Sequence, residues 1–305
     1  MDVYSIEKRL AIIIRQSGWP KGDGMRSVLV TGTSKGIGYE TALAFARSGY
    51  RVHATMRNPS QSPALAETAT REKLPITVTV MDVDNDESVQ LGMAAIQEQH
   101  GPLDVLVNNA GVERFGSIEE SSMDDFRTTM ETNYFGALRC IKGVIPQMRQ
   151  RRSGTIINIS SVAGTFCHPP ATSYCASKWA LEALSEALAC EMKTFGVRVA
   201  LVEPGIIDTA MARRITTKAN SAYPHAARVA ALFTATLTNA PVPPSLVAQK
   251  VLDIDQSGTW QLRHPIGPDA LPLIAWRKGM TDEQWVDLHS ANDETFQKRM
   301  AASKA

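Results

Sequence analysis

A chain of 305 residues, 44% hydrophobic and 21% charged, holds enough apolar material for one sizeable core or two small ones. With 32 basic against 31 acidic side chains, the formal charge of +1 offers no general attraction to nucleic acid or to an anionic membrane surface. No stretch approaches the apolar length of a membrane span, and the run Leu10–Ile14 is too short for a secretory signal core.

Residues 1–24 carry Asp2 and Glu7 and end in Gly18, Pro20, Gly22 and Gly24, so a disordered extension is expected there, followed by a single domain over 25–305. Because Met25 stands directly before the first strand pattern, an upstream start site is the expected origin of that extension. Cys140, Cys167, Cys175 and Cys190 form no C-x-x-C pair, and no histidine joins them at metal-ligand spacing. Small buried hydrophobes or idle thiols in a reduced, cytoplasmic setting are expected, with no metal centre.

From Ser27 onward, short β-branched runs alternate with longer amphipathic stretches, the pattern of βα units around a parallel sheet. Strands are predicted at Ser27–Thr31, Arg51–Met56, Ile76–Met81, Asp104–Val107, Thr155–Ser160, Val197–Val202 and Thr259–Arg263. Helices are predicted at Gly36–Ser48, Ser62–Lys73, Glu87–Gln99, Met123–Arg151 and Ala171–Phe195. Runs such as Val28-Leu29-Val30 and Val105-Leu106-Val107 mark strands buried on both faces. The expected fold is α/β, a Rossmann-type doubly wound parallel sheet of six to seven strands with helices on both faces. After Gly205 the alternation lapses, and residues 206–244, with Pro224, Pro241, Pro243 and Pro244, read as a mobile insertion carrying the substrate loop. Ser245 is expected to cap a short helix through Ile254, and Thr281 with Gln284 to form a capping box for the last one.

The first strand runs into Thr31-Gly32-Thr33-Ser34-Lys35-Gly36-Ile37-Gly38 and then a helix. Glycines in that position let the backbone approach a pyrophosphate, and the helix N-terminus holds the anion. A tight turn without ligand has the same local pattern. The spacing is G-x-x-x-G-x-G rather than G-x-G-x-x-G. An NAD site would place an acid near the end of the second strand, yet no Asp or Glu lies between Glu40 and Glu67. Met56 stands there instead, followed by Arg57; with Lys35 in the glycine loop, two cations face the place of a 2'-phosphate, so NADP(H) is expected ahead of NAD(H).

Tyr174 and Lys178, four residues apart on a predicted helix, project from one face. An ammonium close to a phenol lowers its pKa and makes it usable for proton transfer, although a Tyr-x-x-x-Lys pair alone is as consistent with packing. Ser160 and Ser161 end one predicted strand, Asn108-Asn109-Ala110-Gly111 another and Pro204-Gly205 a third, all at the carboxyl edge where open α/β sheets bind ligands.

Together these motifs resemble the short-chain dehydrogenases/reductases, in the branch with short subunits, in matching order from Ser27 to Thr209. The resemblance implies that Tyr174 transfers the proton, Ser161 hydrogen-bonds the substrate oxygen, Lys178 lowers the phenol pKa and binds the ribose, and Asn133 holds a water in a proton relay. It implies cofactor contacts at Gly32, Ser34, Lys35, Gly36, Ile37, Gly38, Arg57, Asp82, Val83, Asn109, Ala110, Gly111, Tyr174, Lys178, Pro204, Ile207 and Thr209. The activity implied is interconversion of a ketone or aldehyde with an alcohol by hydride transfer, without a metal. The alternatives are an epimerase or dehydratase with retained dinucleotide, and a dinucleotide-binding redox sensor without turnover. Substrate identity is expected to reside in the 206–244 insertion and in the loops Val112–Phe115 and Val162–His168, where Phe115, Phe166, Val229, Leu232 and Phe233 suit a medium-sized apolar substrate, in the manner of hydroxysteroid and retinol dehydrogenases. His168 is the one histidine placed near the site, and Trp260, Trp276 and Trp285 are expected to pack. Family members join helices such as Met123–Arg151 and Ala171–Phe195 across an interface, which implies a homodimer or homotetramer.

Overall fold

A computed structural model of the chain describes residues 24–215 and 221–302. The extension expected over 1–24, and its start-site origin, lie outside the described residues apart from Gly24. Seven strands form one sheet: β1 (Ser27–Thr31), β2 (Arg51–Met56), β3 (Ile76–Val80), β4 (Val105–Asn108), β5 (Gly154–Ile159), β6 (Val197–Pro204) and β7 (Arg263–Ile266). Their order is β3-β2-β1-β4-β5-β6-β7 and every neighbouring pair is parallel. The doubly wound α/β sheet expected from the alternation is therefore the one present. The chain winds outward from β1 to β3 and then from β4 to β7 on the other side, so the crevice for a ligand opens above the carboxyl ends of β1 and β4.

The crossovers are α1 (Gly36–Arg47), α2 (Ala64–Glu72), α3 (Asp86–His100), α4 (Met123–Met130), α5 (Gly136–Arg151) and α6 (Thr172–Lys193). Beyond β6 lie α7 (His225–Asn239), α8 (Pro244–Ser257), α9 (Ala270–Lys278), α10 (Asp282–Ser290) and α11 (Asp293–Ala302). Side chains alternate across the strands, and both faces are covered. Val28, Val30, Val52 and Val107 pack with Phe45 of α1 and with Val247 and Val251 of α8. Leu29, Leu106 and Ile156 point the other way, onto Met93 and Ile96 of α3 and Ile141 and Val144 of α5. Each such fully buried aliphatic side chain contributes about 1.5–3 kcal/mol.

Four elements depart from the sequence pattern. The helix expected over Met123–Arg151 is broken by a π turn at Glu131–Phe135, between α4 and α5. Apolar spacing runs on across the break, which is why periodicity does not reveal it. The last strand is Arg263–Ile266 rather than Thr259–Arg263, because the chain leaves α8 through Gly258 and reaches β6 only where Leu201 meets Arg263. Pro265 fits there because β7 is an edge strand. Residues 206–244 contain α7, bounded by Pro224 before it and Pro241 after it; the prolines delimit a helix instead of breaking one. Residues 216–220 of that segment lie outside the described ones. Finally, Ser245 does not cap α8: Pro243 is its N-cap and Pro244 occupies the first turn, where a missing N–H costs nothing. The capping box at Thr281 is present, with Gln284 N–H donating to Thr281 Oγ1 at 3.2 Å and Thr281 N–H to Gln284 Oε1 at 2.9 Å, but it opens α10 and not the last helix, because α11 follows.

The C-terminal helices close one side of the crevice. Trp285 meets Phe166, Trp276 and His289 at ring separations of 5.7, 5.3 and 4.1 Å and donates to the Cys167 carbonyl at 3.0 Å. Trp276 and Trp285 pack as expected; Trp260 is half exposed, with the Lys193 ammonium over its ring at 5.8 Å. No helix among the described residues is long and apolar enough to cross a membrane.

Candidate active site

At the end of β1 the glycine loop turns into α1 with Gly32 at φ +70° and Gly36 at φ +62°, backbone that glycine adopts without strain. A Cβ on Gly32 would lie 2.7 Å from Ala110 Cα, and one on Gly38 would run into Asn109 Nδ2 and the Gly32 carbonyl. The loop is strapped to the end of β4: Thr31 Oγ1 accepts the Asn109 and Ala110 N–H groups, each at 3.0 Å, and Asn109 Nδ2 donates to the Thr31 and Gly32 carbonyls at 2.9 and 3.1 Å. Asn109, expected on the ribose side, thus spends its amide nitrogen on holding the loop. Lys35 caps α1 without a side-chain bond, no acid lies in that first turn, and the helix N-terminus faces the cleft. Lys35 and Arg57 are both exposed, and neither is ion-paired among the described residues. Asp82 and Val83 border the same cleft, and Asp84, which the motifs did not single out, accepts the Thr132 hydroxyl at 3.0 Å beside them.

Ser161 follows β5 and caps a short 3-10 turn, its Oγ accepting the Ala163 N–H at 3.1 Å and facing the Tyr174 hydroxyl. Tyr174 lies in the first turn of α6, and Lys178, one turn on, is buried with its Nζ 5.6 Å from the Tyr174 ring centroid. That ammonium donates to the Ile159 carbonyl at 2.8 Å. Burial lowers Lys178 to about 8, with Glu182 and Glu113 acting in the other direction. Burial first, then the Glu113 carboxylate, raise the Tyr174 phenol above its ordinary range, and the hydrogen bond with Ser161 offsets only part of this. The depression expected from Lys178 is therefore not found: the ammonium is spent on a carbonyl and sits over the ring, and an unforeseen carboxylate stands nearby.

Asn133 lies in the π turn, fully buried, with every polar atom engaged. Its Oδ1 accepts Val112 N–H at 2.8 Å and its Nδ2 donates to the Val112 carbonyl and to Ser177 Oγ, both at 2.9 Å. A water held by this side chain would take the second lone pair of Oδ1, since both Nδ2 protons are committed. Ser160 Oγ points to the interior beside Glu182 and not to the cleft chemistry. At the end of β6, Ile206 N–H donates to Asp269 Oδ2 at 2.8 Å, Ile207 is buried, and Thr209 Cγ2 lies 3.5 Å from a Cβ built on Gly36. His168 borders the cleft with its Nδ1 unpartnered, and burial holds its pKa low.

Apart from Gly38 and Asn133, which lie behind its wall, and Phe115, expected against the substrate but packed instead with Tyr174 and Cys175, every residue expected in the site lines one cleft of about 980 Å³. One end is the glycine loop with Lys35, Arg57 and Asp82; the other is an apolar chamber with Phe166, Val229, Leu232, Phe233, Trp276 and Trp285; Ser161, Tyr174 and Lys178 stand between. Glu113 lines the middle too; it falls in the Val112–Phe115 loop expected to shape the substrate site, but no motif singled it out, since a lone glutamate in a loop carries no pattern.

Residues 26–220 match the family model of short chain dehydrogenases, and the chain belongs to that family. It is 43% identical over 192 residues to retinol dehydrogenase 8 of Bos taurus, covering 61% of each chain. It is 38% identical over 182 residues to the 3-ketodihydrosphingosine reductase of Bacteroides thetaiotaomicron, covering 60% of this chain and 64% of that one. The chain thus matches a little over six tenths of the length of these curated relatives. Among solved structures, the actinorhodin polyketide ketoreductase with NADPH superposes with a TM-score of 0.73 at 26% identity, covering 82% of this chain and 99% of that one. Structures of this fold occur with NADPH and with NAD.

Proposed function

We propose that this chain is an NADP(H)-dependent oxidoreductase that interconverts a medium-sized, apolar ketone or aldehyde with the corresponding alcohol. The observation that carries the reading is the convergence of Ser161, Tyr174 and Lys178 at the junction between the glycine-loop cradle and the apolar chamber. The cradle fits a dinucleotide: Gly32 and Gly36, both at positive φ, bring backbone without side chains to the cleft, and the first turn of α1 offers free N–H groups to a pyrophosphate. Lys35 and Arg57, unpaired beside it and with Met56 in place of an acid, favour the 2'-phosphate of NADP(H). A bound nicotinamide supplies or takes the hydride.

The protein's own part is proton transfer and orientation. Ser161 and Tyr174 donate hydrogen bonds to the substrate oxygen as it gains charge, and Tyr174 then releases its proton to that oxygen. Lys178, fixed by the Ile159 carbonyl, presents its ammonium beneath the phenol ring and toward a ribose. A phenol held above its ordinary pKa keeps its proton at neutral pH, the form that can protonate a substrate oxygen. The names of the two curated relatives, a retinol dehydrogenase and a ketosphingosine reductase, point to similar apolar substrates.

The test is a panel of retinal, medium-chain ketones and their alcohols, each with NADPH, NADH and the oxidised forms. Reduction with NADPH is expected, at least about tenfold above NADH, and replacing both Lys35 and Arg57 by leucine is expected to erase the preference. A preference for NADPH that survives the double substitution removes the role of Lys35 and Arg57; a wild-type preference for NADH removes the cofactor assignment; silence across the panel removes the activity.

A further inference from the structure

Glu113 is an ionisable side chain in the middle of the cleft for which the proton transfer above has no task. It follows Asn108-Asn109-Ala110-Gly111 at the end of β4, and its backbone is pinned on both sides. Val112 exchanges two hydrogen bonds with Asn133, and the Arg114 carbonyl accepts the Ser173 hydroxyl at 3.2 Å. One residue further, Phe115 packs with Tyr174 and Cys175. The segment therefore runs along the start of α6 and sets the Glu113 carboxyl in the cleft wall, within electrostatic reach of both Tyr174 and Lys178.

Nothing in the fold explains a carboxyl there. Among the described residues no group hydrogen-bonds to it; Arg114 is turned away to Asp125 at 3.5 Å, and Lys178 is held by Ile159 at 2.8 Å. Burial raises Glu113 to about 7, so the site charges it reluctantly without a partner. The walls beyond are apolar, with Val162, Phe166 and Leu232. In such surroundings a carboxylate is best satisfied by a cation that leaves water with it and donates hydrogen bonds; a hydroxyl leaves the charge uncompensated.

We propose that Glu113 binds the ammonium group of the substrate, so that the preferred substrates are amphipathic amino ketones or amino alcohols whose amine sits beside the reacting carbon. The proximity to Tyr174 sets that position, and the apolar chamber takes the tail. This substrate class rests on the oxidoreductase reading above.

The full chain is assayed with a twelve-carbon α-amino ketone and with the same ketone lacking the amine, using wild type, Glu113→Gln and Glu113→Ala, with NADPH and NADH. The readout is the ratio of kcat/KM for the two ketones within each protein, which cancels general damage to the enzyme. Wild type is expected to favour the amine by about tenfold or more, and both variants to bring the ratio to within about twofold of unity. A wild-type ratio near unity, or a preference that survives both substitutions, overturns the role of Glu113 and leaves the oxidoreductase reading standing. If neither ketone is reduced, that reading falls instead, and binding decides on Glu113. Dodecylamine is then expected to raise the melting midpoint of wild type above the shift given by dodecanol, and to lose that excess in Glu113→Gln; equal excess in both proteins overturns the proposal.

Discussion

Tyr174 stands between influences that pull its proton in opposite directions: burial and the Glu113 carboxylate hold it on, while the Ser161 hydrogen bond eases it off. With the phenol pKa raised, the protonated form prevails at neutral pH, so carbonyl reduction is expected to proceed there while alcohol oxidation, which needs the deprotonated phenol, climbs as pH rises. Rates measured in both directions between about pH 6 and 9 check the sign. Tyr174→Phe is expected to lower turnover by about a hundredfold or more while NADPH still binds, as read by fluorescence titration. Cys167, unremarkable as a lone thiol in the sequence, faces Cys175 across the loop before α6, and the hydrogen bond between them lowers it to about 7 against the effect of burial. It is therefore expected to react with iodoacetamide at neutral pH well before Cys140, which burial pushes up to about 12; mass spectrometry of timed samples ranks them. Ser161, Tyr174 and Lys178 stood out because spacing puts them at a strand end and on one helix face, but the choice of Ser161 over Ser160 and the roles of all three came from the family resemblance. Glu113 and the Cys167–Cys175 contact were not, because both depend on which loop lies against the start of α6.

The β1–glycine loop–α1 unit was legible because each of its parts has a local cause: a buried aliphatic strand, glycines where φ is positive, and a helix after them. It is also where the fold tolerates least. Gly38→Ala would drive a methyl group into Asn109 and the Gly32 carbonyl, and is expected to cost about 1–3 kcal/mol and to weaken NADPH binding more than tenfold. Gly49→Ala, at φ +83° with open space around it, serves as the control: about 1 kcal/mol of backbone strain and unchanged cofactor affinity, read by thermal unfolding and titration. The π turn at Glu131–Phe135 was hidden, since the sequence signals only that apolar residues recur. Its meaning is tertiary: the widened turn lets Asn133 reach Val112 and Ser177 together, and so ties the β4 loop to α6. Helix α7 was hidden for the opposite reason, because prolines at its borders look like breakers until the helix between them is seen.

At the scale of the molecule, the sheet and its order followed from alternation, while the closing of the cleft by the C-terminal helices did not, since no local pattern says where a terminal helix docks. The sheet also stores an acid sensitivity. His53 of β2 is buried against His100 with both ring nitrogens unpartnered, and burial first, then the His100 and Arg51 charges, depress it to about 3. The native state thus refuses a proton that the unfolded chain accepts below about pH 6.5, so stability is complete above that pH and declines as pH falls toward 3. His53→Gln is expected to flatten this decline by about 1 kcal/mol per pH unit, seen as converging urea midpoints for variant and wild type between pH 7 and about 5.5. Arg228 of α7 binds the main-chain carbonyls of His289 and Ala291 at 3.1 and 2.6 Å and Asp293 at 2.7 Å, fastening the substrate-side helix to the C-terminal ones. That fastening divides the chain in a way heredity can use. Everything that would handle the dinucleotide and the proton is written before residue 215, and most of the apolar chamber after residue 221, so new substrates can be acquired by editing one passage of the text while the other is copied unchanged.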